Sequence, residues 1–173
     1  MADTPLAAVV MAGGLGTRMR SVVPKHFHEI LGRRMVDWII GVGRETGAEP
    51  IVVVASPATR DEFAESGVTI AVQEKALGTG DAVRSARASL EQFEGDVLVL
   101  SGDTPLLTAQ LLRELVETHH AESADATILS AVPPDPRVYG RVVRDADGSV
   151  VKIVEGTDAN EEEKLMVIVS ALP

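Results

Sequence analysis

Leu6-Ala-Ala-Val-Val-Met-Ala-Gly-Gly-Leu-Gly-Thr-Arg-Met19, with Pro24-Lys25 shortly after it, decides how the rest of the chain is read. Its first half is a continuous apolar run, the pattern of a strand buried on both faces of a parallel sheet. The glycines then fall where such a strand leaves the sheet at its carboxyl edge, and open α/β sheets collect their ligands there. Gly13, Gly14 and Gly16 carry no Cβ to hold an anion away from backbone N–H groups, and Arg18 and Lys25 flank them with cationic donors. The stretch reads as a phosphate cradle. It is not a dinucleotide fingerprint, because Gly14-Leu-Gly16-Thr-Arg-Met lacks the third glycine, and it has no Gly-Lys-Ser/Thr to end a Walker loop. A ligand-free turn would explain the glycines but not two basic residues and a proline in so short a space.

Composition narrows the class. A chain of 173 residues, 45% hydrophobic, suits one domain with a sizeable core. The absence of cysteine excludes disulfides and thiolate metal sites and fits a reducing compartment. The amino terminus has no basic region ahead of its short apolar run, and no apolar run approaches the ~20 residues a membrane span needs, so a soluble cytoplasmic protein is expected. A net charge of −10 argues against a nucleic-acid binder. Residues 1–34 nevertheless hold Arg18, Arg20, Lys25, Arg33 and Arg34 against only Asp3 and Glu29, and a basic cluster on an acidic body points to a small anionic ligand.

Along the chain, apolar patterning predicts a helix beginning near Met35 to Trp38 and running to about Thr46, then a buried strand at 50–55. Ser56-Pro57 predicts an N-cap and first helical position, with that helix ending near Ser66-Gly67. A strand at 68–72 leads into a second glycine-bearing turn, Gln73 to Gly80, and a helix burying Ala82, Val83, Ala86 and Leu90. A strand at 96–100 delivers Ser101-Gly-Asp-Thr-Pro105, and Thr108 caps a helix with Leu111, Leu112, Leu115 and Val116 on one face. Strand-then-helix units in series imply a parallel sheet with right-handed crossovers. Beyond Ala124 a strand at 127–132 runs into Pro133-Pro134, and Asp145-Ala-Asp-Gly148 joins strands 140–144 and 149–154 as a β-hairpin. Residues 157–164 read as a loop or short helix, and 165–172 as an apolar run.

Three loops thus meet at one sheet edge. An aspartate there, beside a phosphate cradle, suits Mg²⁺, which takes carboxylate and phosphate oxygens together; on the residues alone Asp103 fits a turn carboxylate equally well. His26 and His28, without further ligands, read as packing or surface residues rather than a metal site.

Ala12-Gly-Gly-Leu-Gly-Thr-Arg-Met19 with Pro24-Lys25, Gln73 ahead of Leu77-Gly-Thr-Gly80, Leu100-Ser-Gly-Asp-Thr-Pro-Leu106, Tyr139-Gly-Arg141 and Ile153-Val-Glu155 together resemble, in order, the uridylyltransferase domain of the bifunctional enzymes that make UDP-N-acetylglucosamine. The first motif is shared by most sugar nucleotidyltransferases, and the others narrow the branch. The resemblance implies a Rossmann-like, GT-A-like three-layer α/β/α fold with a mostly parallel sheet and a C-terminal β-hairpin region, forming a single nucleotidyltransferase domain over 1–173. It implies UTP and an amino-sugar 1-phosphate as substrates, Mg²⁺ as cofactor, a role in supplying cell-envelope precursors, and no nucleic-acid or membrane partner. Uracil contacts fall on Ala12 and Gly13, on the Gln73 amide, and on Gly78 and Thr79; Gly14, Gly16 and Thr17 complete the nucleotide loop. Arg18 and Lys25 bind the triphosphate and act in catalysis, Asp103 holds the metal, and Gly102, Gly140 and Glu155 hold the sugar phosphate.

The sequence departs from that pattern in places. Arg34 replaces a usual proline, Ser101 a common tyrosine, and Val167-Ile-Val-Ser-Ala-Leu172 stands where the family shows Glu-x-Asn-Thr/Ser-Gly. The 173 residues stop before the asparagine that supplies a second magnesium ligand and hold none of the acetyltransferase half's hexapeptide repeats. The resemblance therefore implies either a nucleotidyltransferase or a nucleotide-binding remnant without turnover, and, as a third possibility, a relative using another nucleotide or acceptor. Gln73 with Leu77-Gly-Thr-Gly80 argues against the last.

Overall fold

The structure, a computed structural model, describes residues 4–14, 19, 21–132, 139–154, 158–160 and 169–170. It divides into two units, Met1–Arg113 and Glu114–Pro173.

The first unit is built on four parallel strands. β1 is Leu6–Ala12; β2 (Glu29–Ile30) and β3 (Arg33–Arg34) form a small antiparallel pair; β4 is Ile51–Ala55, β5 Thr69–Val72 and β6 Asp96–Ser101. The main sheet runs β5-β4-β1-β6, all parallel. β1 and β4 are the central strands, which is why their sequences are continuous apolar runs: Ala7, Ala8, Val9, Val10 and all five residues of β4 are buried. Side chains alternate between faces. On one face Val9, Val52, Val54 and Ala71 pack against Ala82 and Ala86, from and just beyond α2 (Thr79–Ser85). On the other, Gly43 of α1 (Met35–Glu45) lies against Ala8, Ile51 and Leu100. Helices therefore cover both faces, giving the three-layer α/β/α arrangement. Each fully buried Val or Ile contributes about 2 kcal/mol of the burial that holds the layers together.

Two expected helices are shorter than their sequence patterns. After β4 the chain makes a turn and one 3-10 turn at Arg60–Phe63. The Ser56 and Thr59 hydroxyls bond each other at 2.9 Å, the Ser56 N–H donates to Thr59 Oγ1, and the Thr59 and Arg60 N–H groups both bond the Ser56 carbonyl, closing a local turn. Phe63 and Thr59 anchor the segment in the core; the helix expected to run to Ser66-Gly67 stops at Phe63, and the Arg44 guanidinium bonds the Ser66 and Gly67 carbonyls beyond it. α2 likewise gives way to a 3-10 turn at Arg87–Leu90, after Ser85 Oγ bonds back to the Asp81 carbonyl. α3, Ala109–Ala121, starts where expected: Thr108 Oγ1 accepts the Leu111 N–H at 3.2 Å.

Within the second unit the hairpin forms as read, β8 (Arg141–Arg144) antiparallel to β9 (Val150–Val154). Asp145 Oδ1 accepts the Asp147 and Ser149 N–H groups to close its turn. The strand expected at 127–132 is reduced to β7, Ser130–Ala131, paired among the described residues with the two residues of β10, Val169–Ser170.

Candidate active site

The parallel register brings three strand ends level. Ala12 pairs with Ala55, Ala55 with Val72, and Met11 with Ser101, so Gly13, Gln73 and Gly102-Asp103 are the first residues to leave the sheet along one edge. β1 lies between β4 and β6, where the strand order reverses, and a crevice at such a reversal is the usual binding place of a doubly wound sheet.

On one side of the β1 end, the buried Gln73 reaches across β4 until its Oε1 meets Gly13. A Cβ at Gly13 would sit 3.0 Å from that oxygen, so glycine here is what admits the amide. The amide nitrogen donates to the Gly78 carbonyl at 3.1 Å and to Asp81 Oδ2 at 3.0 Å. Gly78, at φ +108°, opens α2 in a conformation that only glycine takes without strain, and Thr79 begins the helix. Gly14 faces open space, as a cradle requires.

On the other side, the Lys25 ammonium pairs with Asp103 Oδ2, and the Ser101 hydroxyl donates to Asp103 Oδ1 at 2.5 Å. Half-burial pushes the Asp103 carboxyl upward, but the Lys25 and Ser101 hydrogen bonds and the Lys25 charge outweigh it and hold the group below its ordinary value. Asp103 is therefore a carboxylate, a hard oxygen donor. Among the described residues no three His, Asp or Glu side chains gather as a metal site.

Gly102 has a packing reason of its own. Its N–H bonds the Met11 carbonyl at 2.9 Å, and an added Cβ would lie 2.9 Å from that same oxygen and 3.4 Å from Val36. Gly102→Ala is expected to cost about 2 kcal/mol in urea unfolding, because backbone must shift to admit the methyl group; an unchanged midpoint would show that the β1–β6 edge yields freely.

The basic cluster is less available than composition suggests. Arg34 binds Asp37 bidentately at 2.7 and 2.9 Å and lies over the rings of Phe27 and Phe63, while Arg33 donates to the Asp37 carbonyl and covers Trp38. Both arginines serve α1 rather than a ligand. His26 is a buried packing residue, its ring edge against Phe27. Gly140 lies in the second unit, immediately before β8. Gly16, Thr17, Arg18 and Glu155, and most of 157–172, lie outside the described residues. Asp81 and the Ser101 hydroxyl are contributors that the sequence reading missed: Asp81 lies just past the Leu77–Gly80 turn, and Ser101, though inside the Leu100–Leu106 motif, gives no one-dimensional sign of its bond to Asp103.

A parallel sheet that reverses order at a glycine loop, with an amide on one flank and an ionised carboxylate on the other, is the framework of an α/β nucleotidyltransferase. The chain belongs to the MobA-like NTP transferase domain family, whose model matches residues 8–150. It is similar to the bifunctional protein GlmU of Caldanaerobacter subterraneus subsp. tengcongensis, 47% identical over 161 residues covering 92% of this chain and 35% of that protein. The bifunctional protein GlmU of Geobacter sulfurreducens is 42% identical over 170 residues, covering 96% of this chain and 36% of that protein, and that of Lactococcus lactis subsp. lactis 44% over 159, covering 91% and 35%. The chain thus spans about a third of the length of these relatives. Among the described residues no helix is long and apolar enough to cross a membrane.

Proposed function

We propose that this chain, acting over 1–173 as one nucleotidyltransferase domain, transfers UMP from UTP to N-acetylglucosamine-1-phosphate in the cytoplasm, giving UDP-N-acetylglucosamine and pyrophosphate for cell-envelope synthesis. The observation that carries this reading is the Gln73 carbonyl oxygen beside Gly13 on one flank of β1 and the Lys25–Asp103 pair on the other, in a chain 42–47% identical to proteins named bifunctional protein GlmU.

The base would lie along the Ala12-Gly13-Gly14 backbone with its edge toward Gln73 and the Gly78-Thr79 turn. The triphosphate would then run toward Gly16, Thr17, Arg18 and Lys25. A phosphate oxygen of the acceptor attacks the α-phosphorus in line, the bond to the β-phosphate's bridging oxygen breaks, and pyrophosphate leaves with the electron pair. Such a transfer asks for positioning and charge neutralisation rather than a protein nucleophile. Lys25 has to exchange Asp103 for phosphate oxygens as the nucleotide enters. Asp103 would hold Mg²⁺, whose charge would offset that of the phosphates. Gly102, Gly140 and Glu155 are proposed to hold the sugar phosphate.

The test is pyrophosphate release from the chain mixed with UTP, Mg²⁺ and N-acetylglucosamine-1-phosphate. Release is expected with UTP and should be at least about tenfold slower with CTP. Binding of UTP without any release would sink the enzymatic reading and leave a nucleotide-binding remnant; faster turnover with GTP or CTP would reassign the base.

A further inference from the structure

We propose that Asp81 is the positioning residue that fixes the Gln73 amide with its oxygen toward the nucleotide site, so that the site selects a base presenting a ring N–H there and rejects cytosine. This rests on the uridylyl reading above and adds the residue that sets the base preference.

A glutamine amide is symmetric in shape and opposite in chemistry at its two ends, so on its own it can accept from uracil or, flipped, donate to cytosine. Here the choice is removed. Both hydrogens of Gln73 Nε2 are used, one on the Gly78 carbonyl and one on Asp81 Oδ2, leaving Oε1 against Gly13. A flip would turn Oε1 onto a carbonyl and a carboxylate at once, and two acceptor-on-acceptor contacts, one charged, exclude it. Asp81 is itself held by Arg84, whose guanidinium donates to Oδ1 at 2.6 Å. The Gln73 and Arg84 hydrogen bonds keep its carboxyl below the ordinary value, so it accepts and never donates.

The base-facing group is thus a pure acceptor. Uracil N3 carries a hydrogen and can donate to it; cytosine N3 carries a lone pair and is repelled. Neither Asp81 nor Arg84 needs to touch the nucleotide, and Asp81 acts only through the amide.

The experiment titrates the wild type, Asp81→Ala, Asp81→Asn and Arg84→Ala with UTP and with CTP in the presence of Mg²⁺. The wild type should favour UTP. Asp81→Ala should lower the UTP-over-CTP affinity ratio about fivefold or more, by losing UTP affinity while keeping or gaining CTP affinity. Asp81→Asn, which retains one acceptor oxygen, should fall between the two, and Arg84→Ala, which loosens Asp81 without removing it, should lower the ratio less than Asp81→Ala. An unchanged ratio in Asp81→Ala, or a proportional loss of both nucleotides, would overturn the assignment. Equal binding of UTP and CTP by the wild type would overturn the uracil reading, and this inference with it, so the two failures are told apart.

Discussion

Asp103→Asn is expected to lower magnesium-dependent UMP transfer at least about a hundredfold, the scale lost when a charge-stabilising group is removed from a phosphoryl-transfer site. The substitution keeps the shape and an acceptor for the Ser101 hydroxyl but removes the negative charge that faces Lys25. Two readouts check it. Pyrophosphate release should collapse, and the tightening of UTP binding by Mg²⁺ should disappear even where turnover is not followed. Lys25 supplies a counter-signature: freed from its carboxylate, its ammonium should hold UTP no more weakly in metal-free buffer than in the wild type. Unchanged turnover, or an unchanged magnesium effect, would remove Asp103 from the metal site.

Acid should destabilise the fold through His26 by about 3 kcal/mol between pH 7 and pH 4. Burial pushes its pKa down from 6.5 to about 4; the Asp103 charge opposes this and the Arg34 charge reinforces it. The folded value lies below the unfolded one, so the folded chain holds the ring neutral while the unfolded chain takes up a proton. Stability is accordingly whole above about pH 6.5 and falls as pH drops toward 4. Among the described residues the buried Nε2 has no hydrogen-bond partner, so nothing is in place to receive the added proton. Urea unfolding of the wild type and His26→Leu across that range isolates the effect from the carboxylates, which titrate in both. The variant's curve should lose about 3 kcal/mol less on acidification; parallel curves would show that His26 is protonated without penalty.

Much of this architecture was legible because the signals were local. The apolar runs of β1 and β4 report burial directly, while those of β5 and β6 mark edge strands buried only in part, and strand-to-turn punctuation placed Gly13, Gln73 and Asp103 at one edge. What escaped depends on contacts between distant or irregular segments. Lys25 and Asp103 were each singled out, but nothing in a one-dimensional pattern says that they pair, nor that Arg33 and Arg34 turn back onto α1. Nothing in the sequence pattern singles out Asp81; its bond to Gln73 exists only because the intervening turn folds back on itself. Ser56-Pro57 carries the local pattern of a helix start, but no α-helix follows it: the segment holds a single 3-10 turn, Arg60–Phe63, which starts from Thr59 instead.

The strand order carries a consequence for how the chain is made. β1 is synthesised well before its partner on one edge: β6 ends at Ser101, roughly 90 residues later. At ordinary translation rates that edge stays bare for on the order of ten seconds. Throughout that interval β1 is an apolar template without its mate, open to any passing extended segment. The glycine loop at its tip is also only half built, since the carboxylate facing Lys25 arrives with the same late strand. In a newborn chain the Gly13–Gln73 flank of this edge is therefore assembled before the Lys25–Asp103 flank.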